Sequence, residues 1–305
     1  MRNRLAIDSI DIRDLLEQLQ IDYSEKGKNV SGGWIGVQCP FCDDQSDHLG
    51  LNLESKRGTC FKCSKSTNII GYLAAKLNNF NKAIEIIEGA IPRELKRKVQ
   101  EEHCSTVDVV RLPIDAQRGL SPAHKAYLKK RRFNADILEQ KFNLHSTGPD
   151  SIADYGKWKN RIIIPVVKNY QLVTFTSCSI EENTKFRYIH LSNEKSIIHV
   201  KQLLFGSEFS NGFNIFVVEG LFDAWRFGAG GIPTWGVKFT DRQVQLLSKY
   251  PNITVVGDGD KDGYNFNRKL SSALAVYSDV KYFDLSPGLD PDSLSKEEIN
   301  HIKRR

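Results

Sequence analysis

Glu219, Asp258, Asp260 and Asp262 are acids whose setting could support chemistry. Glu219-Gly220 follows the apolar run Ile215–Val218, and Asp258-Gly259-Asp260-Lys261-Asp262-Gly263 follows the run Ile253–Val256. Carboxylates gathered at one place repel each other unless something cationic sits between them. Magnesium or manganese, hard ions that prefer oxygen ligands, suit such a set. A single acid after a strand is an ordinary helix cap or loop residue, and Asp262 alone would be read so. The paired Glu-Gly and Asp-Gly-Asp arrangement is different, because glycine allows tight backbone turns beside a ligand. A calcium loop is the rival for DGDKDG, but its twelfth position should be Glu. Here that position is Lys269.

Elements must bring these acids together. Short β-branched apolar runs read as buried strands. Between the two runs lie LFDAWRFG, GIPTWG and TDRQVQLLSKY. The order strand, helix, strand, helix, strand implies a parallel sheet with right-handed crossovers. Parallel strands end on one edge, where open α/β sheets bind ligands. Acids 39 positions apart would therefore meet there. Further on, a helix is expected over Tyr264–Ala275 and a strand over Val280–Leu285. A loop holding Asp290-Pro291-Asp292 then returns acids to the edge, and Ser295 to Glu298 has capping-box spacing for a last short helix.

Four cysteines form a second constellation. Cys39-Pro40-Phe41-Cys42 and Cys60-Phe61-Lys62-Cys63 bracket a stretch that reads as a hairpin turning near Ser55–Gly58. Two such pairs set four thiolates in a tetrahedron, the geometry of structural zinc, and four Cys close the site. A redox CxxC and a His48 ligand are the weaker readings. A helix over Asp11–Gln20 should precede the ribbon, and one or two helices over Thr67–Glu88 should follow it. Trp34, Phe41, Phe61, Lys56, Arg57, Lys62 and Lys65 are the residue types that bind single-stranded nucleic acid. Phe41 and Phe61 could equally form a small core.

The chain has 305 residues, a formal net charge of +6 and 40% apolar residues. That length allows two or three domains. No run is long enough to span a membrane, and the start has no secretory apolar segment. With six cysteines suited to metal or free thiols, a cytoplasmic protein is expected. Residues 91–135 hold eleven Lys and Arg against five acids, as for a surface that meets a polyanion. Residues 91–113 read as a linker, with Cys104 an ordinary thiol. Helices follow in AHKAYLKKRRFNADILEQKFNL, with Asn134 a candidate cap. Strands are expected at Arg161–Val167 and Gln171–Cys178. Arg161, Lys185, Arg187 and Lys201 are either solvated strand edges or counter-charges for a triphosphate.

The acidic region resembles the Toprim domain shared by bacterial-type primases, topoisomerases, recombination mediators and some nucleases. Glu219-Gly220 matches its first motif, Asp258-Gly259-Asp260 its second, and Asp290-Pro291-Asp292 its later acidic pair. Residues 8–90 resemble the zinc-binding domain of bacterial and phage primases. The four-Cys ligand set is more similar to phage helicase-primase fusions and leans toward a phage or mobile element. YLKKRRFNADIL, RIIIPV and FRYIHLSNEKSIIHVKQLLFG are similar to the primase core preceding Toprim.

The resemblance implies an α/β fold, with a Toprim-type parallel sheet, a mixed α+β subdomain before it and an amino-terminal zinc ribbon. The divisions would be 1–90, a linker at 91–113, 114–213 and 214–305. It implies a DNA primase making short RNA primers from ribonucleoside triphosphates on single-stranded DNA, with an RNA–DNA hybrid as product. One structural zinc would sit at Cys39, Cys42, Cys60 and Cys63. Two Mg2+ or Mn2+ would be held by Glu219, Asp258 and Asp260, with Asp262, Asp290 and Asp292 adding ligands. Arg161, Arg187 and Lys201 match basic residues that hold template or nucleotide, and Lys185 is a further candidate. No Walker A motif is present, so a helicase would be a separate partner or lie on a longer chain. A Toprim nuclease and a zinc-containing recombination mediator are the rival readings.

Overall fold

The computed structural model describes residue 7 and residues 9–27, 30–42, 46–92 and 107–304. Most of the linker expected at 91–113, and Cys104, lie outside the described residues. Contacts divide the chain into two compact units, Met1–Glu102 together with Leu204–Arg305, and His103–Leu203.

The first unit begins with helix α1 (Ile12–Gln18), capped by the Asp11 carboxylate, which accepts from the Arg13 N–H. Its apolar face, Ile12, Leu15 and Leu16, is buried. Five antiparallel strands follow, paired in sequence order: β1 (Tyr23–Ser24), β2 (Trp34–Val37), β3 (Leu49–Asn52), β4 (Arg57–Cys60) and β5 (Ser66–Asn68). Ile35, Val37, Leu49 and Leu51 point inward and are fully buried, while Trp34 and Gly50 lie on the other face, as strand alternation requires. Helices α2 (Ile69–Leu77) and α3 (Phe80–Ala90) are two and not one. Asn78 takes a left-handed φ of 48°, which ends the first, and the Asn79 side chain caps the second by accepting from the Lys82 N–H.

The second unit carries β6 (Gln117–Arg118), α4 (Pro122–Lys130), α5 (Ala135–Phe142), β7 (His145–Thr147), β8 (Arg161–Lys168), β9 (Gln171–Ser179) and β10 (Tyr188–His190). These strands form an antiparallel sheet in the order β10-β9-β8-β7-β6. Asn134 caps α5 by accepting from the Ile137 N–H. Trp158, Ile163 and Phe175 centre its core.

The remainder of the first unit alternates β11 (Asn214–Val218), α6 (Leu221–Phe227), β12 (Gly231–Pro233), α7 (Asp241–Leu247), β13 (Asn252–Val256), α8 (Lys261–Leu274) and β14 (Asp279–Phe283), then ends with α9 (Lys296–Arg304). The four strands are all parallel, in the order β12-β11-β13-β14. Their continuous apolar runs reflect burial on both faces. Ile215, Val217, Ile253 and Val255 pack with Phe266 and Leu270 of α8. Phe216, Val218 and Val256 pack on the other face with Phe227 of α6 and with Ile299 and Ile302 of α9. The box before α9 closes as its spacing suggests, with Glu298 accepting from the Ser295 N–H and the Ser295 hydroxyl accepting from the Glu298 N–H.

The zinc-ribbon half packs against the edge of this sheet where strands begin. Arg57 of β4 donates to the Ala275 carbonyl and, at 3.1 Å, to that of Ser278. Asn68 donates to the carbonyls of Ser248 and Tyr277 while its oxygen caps α2. Phe80 stacks on Tyr250 at 5.5 Å, and Lys249 pairs with Glu88 at 2.6 Å. These contacts lie at the ends of α7 and α8 and just before β13 and β14. A five-residue strand, ~16 Å long, separates them from the edge where the strands finish. Among the described residues, no helix is long and apolar enough to cross a membrane.

Candidate active site and metal centres

Strand register decides where the acids meet. Val218 pairs with Val256, and Val256 with Phe283, so three neighbouring strands stop at one level. Glu219 follows the first, and its Oε1 accepts from the Asp258 N–H at 3.1 Å. The two motifs, 39 residues apart, are thus in direct contact. Glu219 is only 8% exposed. Oδ1 of Asp258 is buried and has no hydrogen-bond partner. Such an atom is costly to desolvate unless a cation or donor completes it.

Electrostatics agree with the geometry. Burial, reinforced by Asp258, Asp260 and Asp262, pushes Glu219 up to about 7, although the Asp258 N–H opposes the rise. Burial, with Asp290 and Asp260, pushes Asp258 up to about 6. Carboxyls that resist ionisation when alone are ready to ionise against a divalent ion.

The other acids differ in setting. Asp260 is exposed and caps α8, its Oδ1 accepting from the Gly263 N–H at 2.8 Å. Asp262 is exposed in the first turn of the same helix. Asp290 is exposed, and one of its oxygens accepts from the Ser293 N–H. Asp292 is buried and pairs with Arg226 at 2.7 Å.

Two residues at this edge stand outside the acids nominated above. Asp223 accepts from the Gly220 and Asp292 N–H groups, both at 3.0 Å. Burial first, then Asp258, Asp290 and Asp292, raises its pKa to about 7. Its signal was the three-residue spacing from Gly220, the spacing of an N-cap and its N3 residue. Asn267, fully buried on α8, accepts from the Gly257 N–H at 2.7 Å. It donates to the Phe283 carbonyl and to Asp284, tying the loops after β13 and β14 together. Nothing in its neighbourhood of sequence marked it.

The four cysteines converge. Their sulfurs lie within 4.8 Å of one another, with Cys39–Cys63 at 3.8 Å and Cys42–Cys60 at 3.9 Å. A tetrahedron of Zn–S bonds of about 2.3 Å has edges of about 3.8 Å, so the set fits zinc. On the outer face of the ribbon, Trp34 and Phe61 are 37% and 66% exposed. A Cβ at Gly50 would lie 3.5 Å from one ring and 3.6 Å from the other, so a bare glycine separates two aromatic edges. Phe41 instead packs against the module's core. Lys56, 7% exposed, bonds the Leu53 carbonyl, and Arg57 is engaged in the docking described above. Neither offers its charge to the outer face.

The basic candidates belong to the second unit. Arg161 is buried, and its guanidinium donates to the carbonyls of Lys157, Phe186 and Arg187. Arg187 donates to the carbonyls of Ser179, Glu181 and Glu182. Together they hold the loop between β9 and β10. Lys185 on that loop is exposed and lies over the Phe186 ring at 5.4 Å. Lys201 is half-buried, and burial lowers its pKa.

Residues 216–295 match the family model described as Toprim-like. DNA primases of Escherichia coli (strain K12) and Salmonella typhimurium are each 22% identical, over 94% of this chain and 58% of theirs. The chain thus spans 58% of the length of these relatives. The zinc-binding and RNA polymerase domains of the Aquifex aeolicus primase superpose with a TM-score of 0.51 at 19% identity, covering 98% of this chain and 83% of that one. A DNA primase domain from Pseudomonas aeruginosa gives 0.51 at 20% identity, covering 60% and 71%. At such identities the structural likeness concerns the fold. The chain carries a Toprim-like segment, is distantly related to bacterial DNA primases, and has an amino-terminal four-cysteine cluster suited to zinc.

Proposed function

We propose that this protein is a DNA primase, joining ribonucleoside triphosphates into short RNA primers on single-stranded DNA. The observation that carries the reading is the direct contact between Glu219 and Asp258 at the finishing edge of a parallel sheet, with an unpartnered buried carboxylate oxygen beside it. Distant kinship with bacterial primases narrows the chemistry from metal-dependent phosphoryl transfer in general to nucleotidyl transfer.

Glu219, Asp258 and Asp260 would hold two divalent ions, with Asp262 and Asp290 close by. Bound there, magnesium or manganese would lower the pKa of a primer 3′-hydroxyl and brace the triphosphate and its leaving pyrophosphate. Lys201 and Lys185 would supply counter-charge to nucleotide or template, and Arg161 and Arg187 would shape the loop that presents Lys185. The zinc ribbon would meet the template through Trp34 and Phe61, and a separate helicase would deliver the strand.

The test is incubation of single-stranded DNA with labelled ribonucleotides and magnesium or manganese. Template-dependent short RNA from the wild type, lost in Asp258→Ala, is the expected result. Shortening of the DNA itself, lost in the same variant, would favour the nuclease reading. Trp34→Ala with Phe61→Ala, on the exposed face of the ribbon and away from its docking contacts, should impair initiation more than extension of a supplied primer. Equal loss of both would count against a template-recognition role.

A further inference from the structure

Helix α6 grips the loop that holds Asp290 and Asp292 with two side chains one turn apart. Asp223 Oδ1 accepts from the Asp292 backbone N–H at 3.0 Å. Arg226, three residues on, donates from Nη2 to Asp292 Oδ1 at 2.7 Å and from Nε to the Asp292 carbonyl at 3.0 Å. The Arg226 and Asp292 side chains are 13% and 11% exposed. A sheltered, two-point guanidinium contact is strong and directional. Removing one partner takes a sheltered counter-charge from the other, which is costly.

Asp290 stands in contrast. It is exposed and caps the short turn at Pro291–Ser293 through Oδ1, and the Leu289 carbonyl just before it accepts from the Gly259 N–H, between Asp258 and Asp260, at 2.7 Å. Two acids of one short motif therefore have different surroundings. One is held by a cation of its own chain, and the other is exposed on a segment bonded to the one that carries Asp258 and Asp260.

We infer that Arg226 is a positioning residue that holds Asp292 as a structural anchor, so that Asp290, and not Asp292, is the acid this loop offers to a divalent ion at Glu219 and Asp258. The inference rests on the metal-binding reading of this edge. Asp223 supports it from the same helix by fixing the backbone between the two acids. Asp292 is thereby removed from the ligand set that its spacing suggests.

The experiment uses the full chain with its zinc in place. Melting temperature is measured with no added divalent ion, and Mn2+ binding is followed by the loss of free-ion paramagnetic resonance. Arg226→Ala and Asp292→Asn are each expected to lower the melting temperature by several degrees, whereas Asp290→Asn should not. Asp290→Asn should weaken Mn2+ binding by roughly tenfold or more, while Asp292→Asn, measured well below its melting point, stays close to wild type. The double variant Arg226→Met with Asp292→Asn removes both charges and should recover most of the lost stability. It also keeps the test open if a single variant fails to fold. Mn2+ affinity lost as much in Asp292→Asn as in Asp290→Asn, with stability unchanged, would overturn the inference. Absence of any Mn2+ binding by the wild type would instead sink the metal reading and with it the role of Asp290. The anchor would then be judged on the melting temperatures alone.

Discussion

Carboxylic acids crowded together away from water keep their protons to higher pH than usual. Glu219, Asp223 and Asp258 show this, at about 7, about 7 and about 6. Between their ordinary values and these, the folded protein binds more protons than the unfolded chain, so their contribution to stability falls as pH rises. Burial depresses His124, His190 and His199, which push the other way. The useful signature is therefore a difference between two proteins. Without added magnesium, Glu219→Gln should melt above wild type, and the gap should widen from about pH 5 to about pH 8. Magnesium in excess should narrow it by stabilising only the wild type. A gap independent of pH in thermal scans would contradict the assignment. The acids Glu219 and Asp258 were legible because each closes an apolar run. Asp223 was legible only as a cap three residues after Gly220, and its hold on the Asp292 N–H was not; Asn267 was not legible at all, since the groups it binds are brought near by the fold alone.

The loops after β13 and β14 interlock through backbone atoms. The Gly259 N–H donates to the Leu289 carbonyl at 2.7 Å, and its own carbonyl accepts from the Gly288 N–H at 2.9 Å. A Cβ at Gly259 would lie 2.1 Å from the Ser286 carbonyl oxygen. Gly259→Ala must therefore part the two loops, at a loss of about 1–3 kcal/mol. Denaturant titration should report that loss, and the proposed primer synthesis should fall with it. Gly89→Ala in α3, where a Cβ meets nothing within 4 Å, is the control. It should raise stability by about 0.5–1 kcal/mol. Strands with long apolar runs, such as Ile215–Val218 and Arg161–Val167, were readable. β5, β6 and β7, at two or three residues each, are too short to display a period. Two helices over 67–88 resolve only through the left-handed Asn78.

The four-cysteine cluster and the parallel sheet are mechanically joined within one unit. β4 carries the ligand Cys60 and the docking residue Arg57, and β5 follows Cys63 and ends at Asn68. A zinc ion at the four cysteines would brace the hairpin that covers the ends of α7 and α8. Removing zinc should raise amide exchange across residues 275–279 as well as within the ribbon. Faster exchange confined to the ribbon would show that the two halves are independent. Asn68→Ala, with zinc retained, should produce the same loosening of 275–279 in milder form, because carbonyls of Ser248 and Tyr277 lose their donor.

Local chemistry and periodicity were sufficient to name four thiolates, a rim of carboxylates and the strands that carry them, because those signals lie in neighbouring residues. Only the folded chain decided that Lys56 and Arg57 serve the protein's own carbonyls, that Asp292 already has a cation, and that the ribbon docks where the parallel strands begin. Those outcomes depend on partners 66 to 221 residues away, or on a turn in the left-handed region. Spacing along a sequence records residue type and repeat, and it carries no trace of which distant group will claim a charge first.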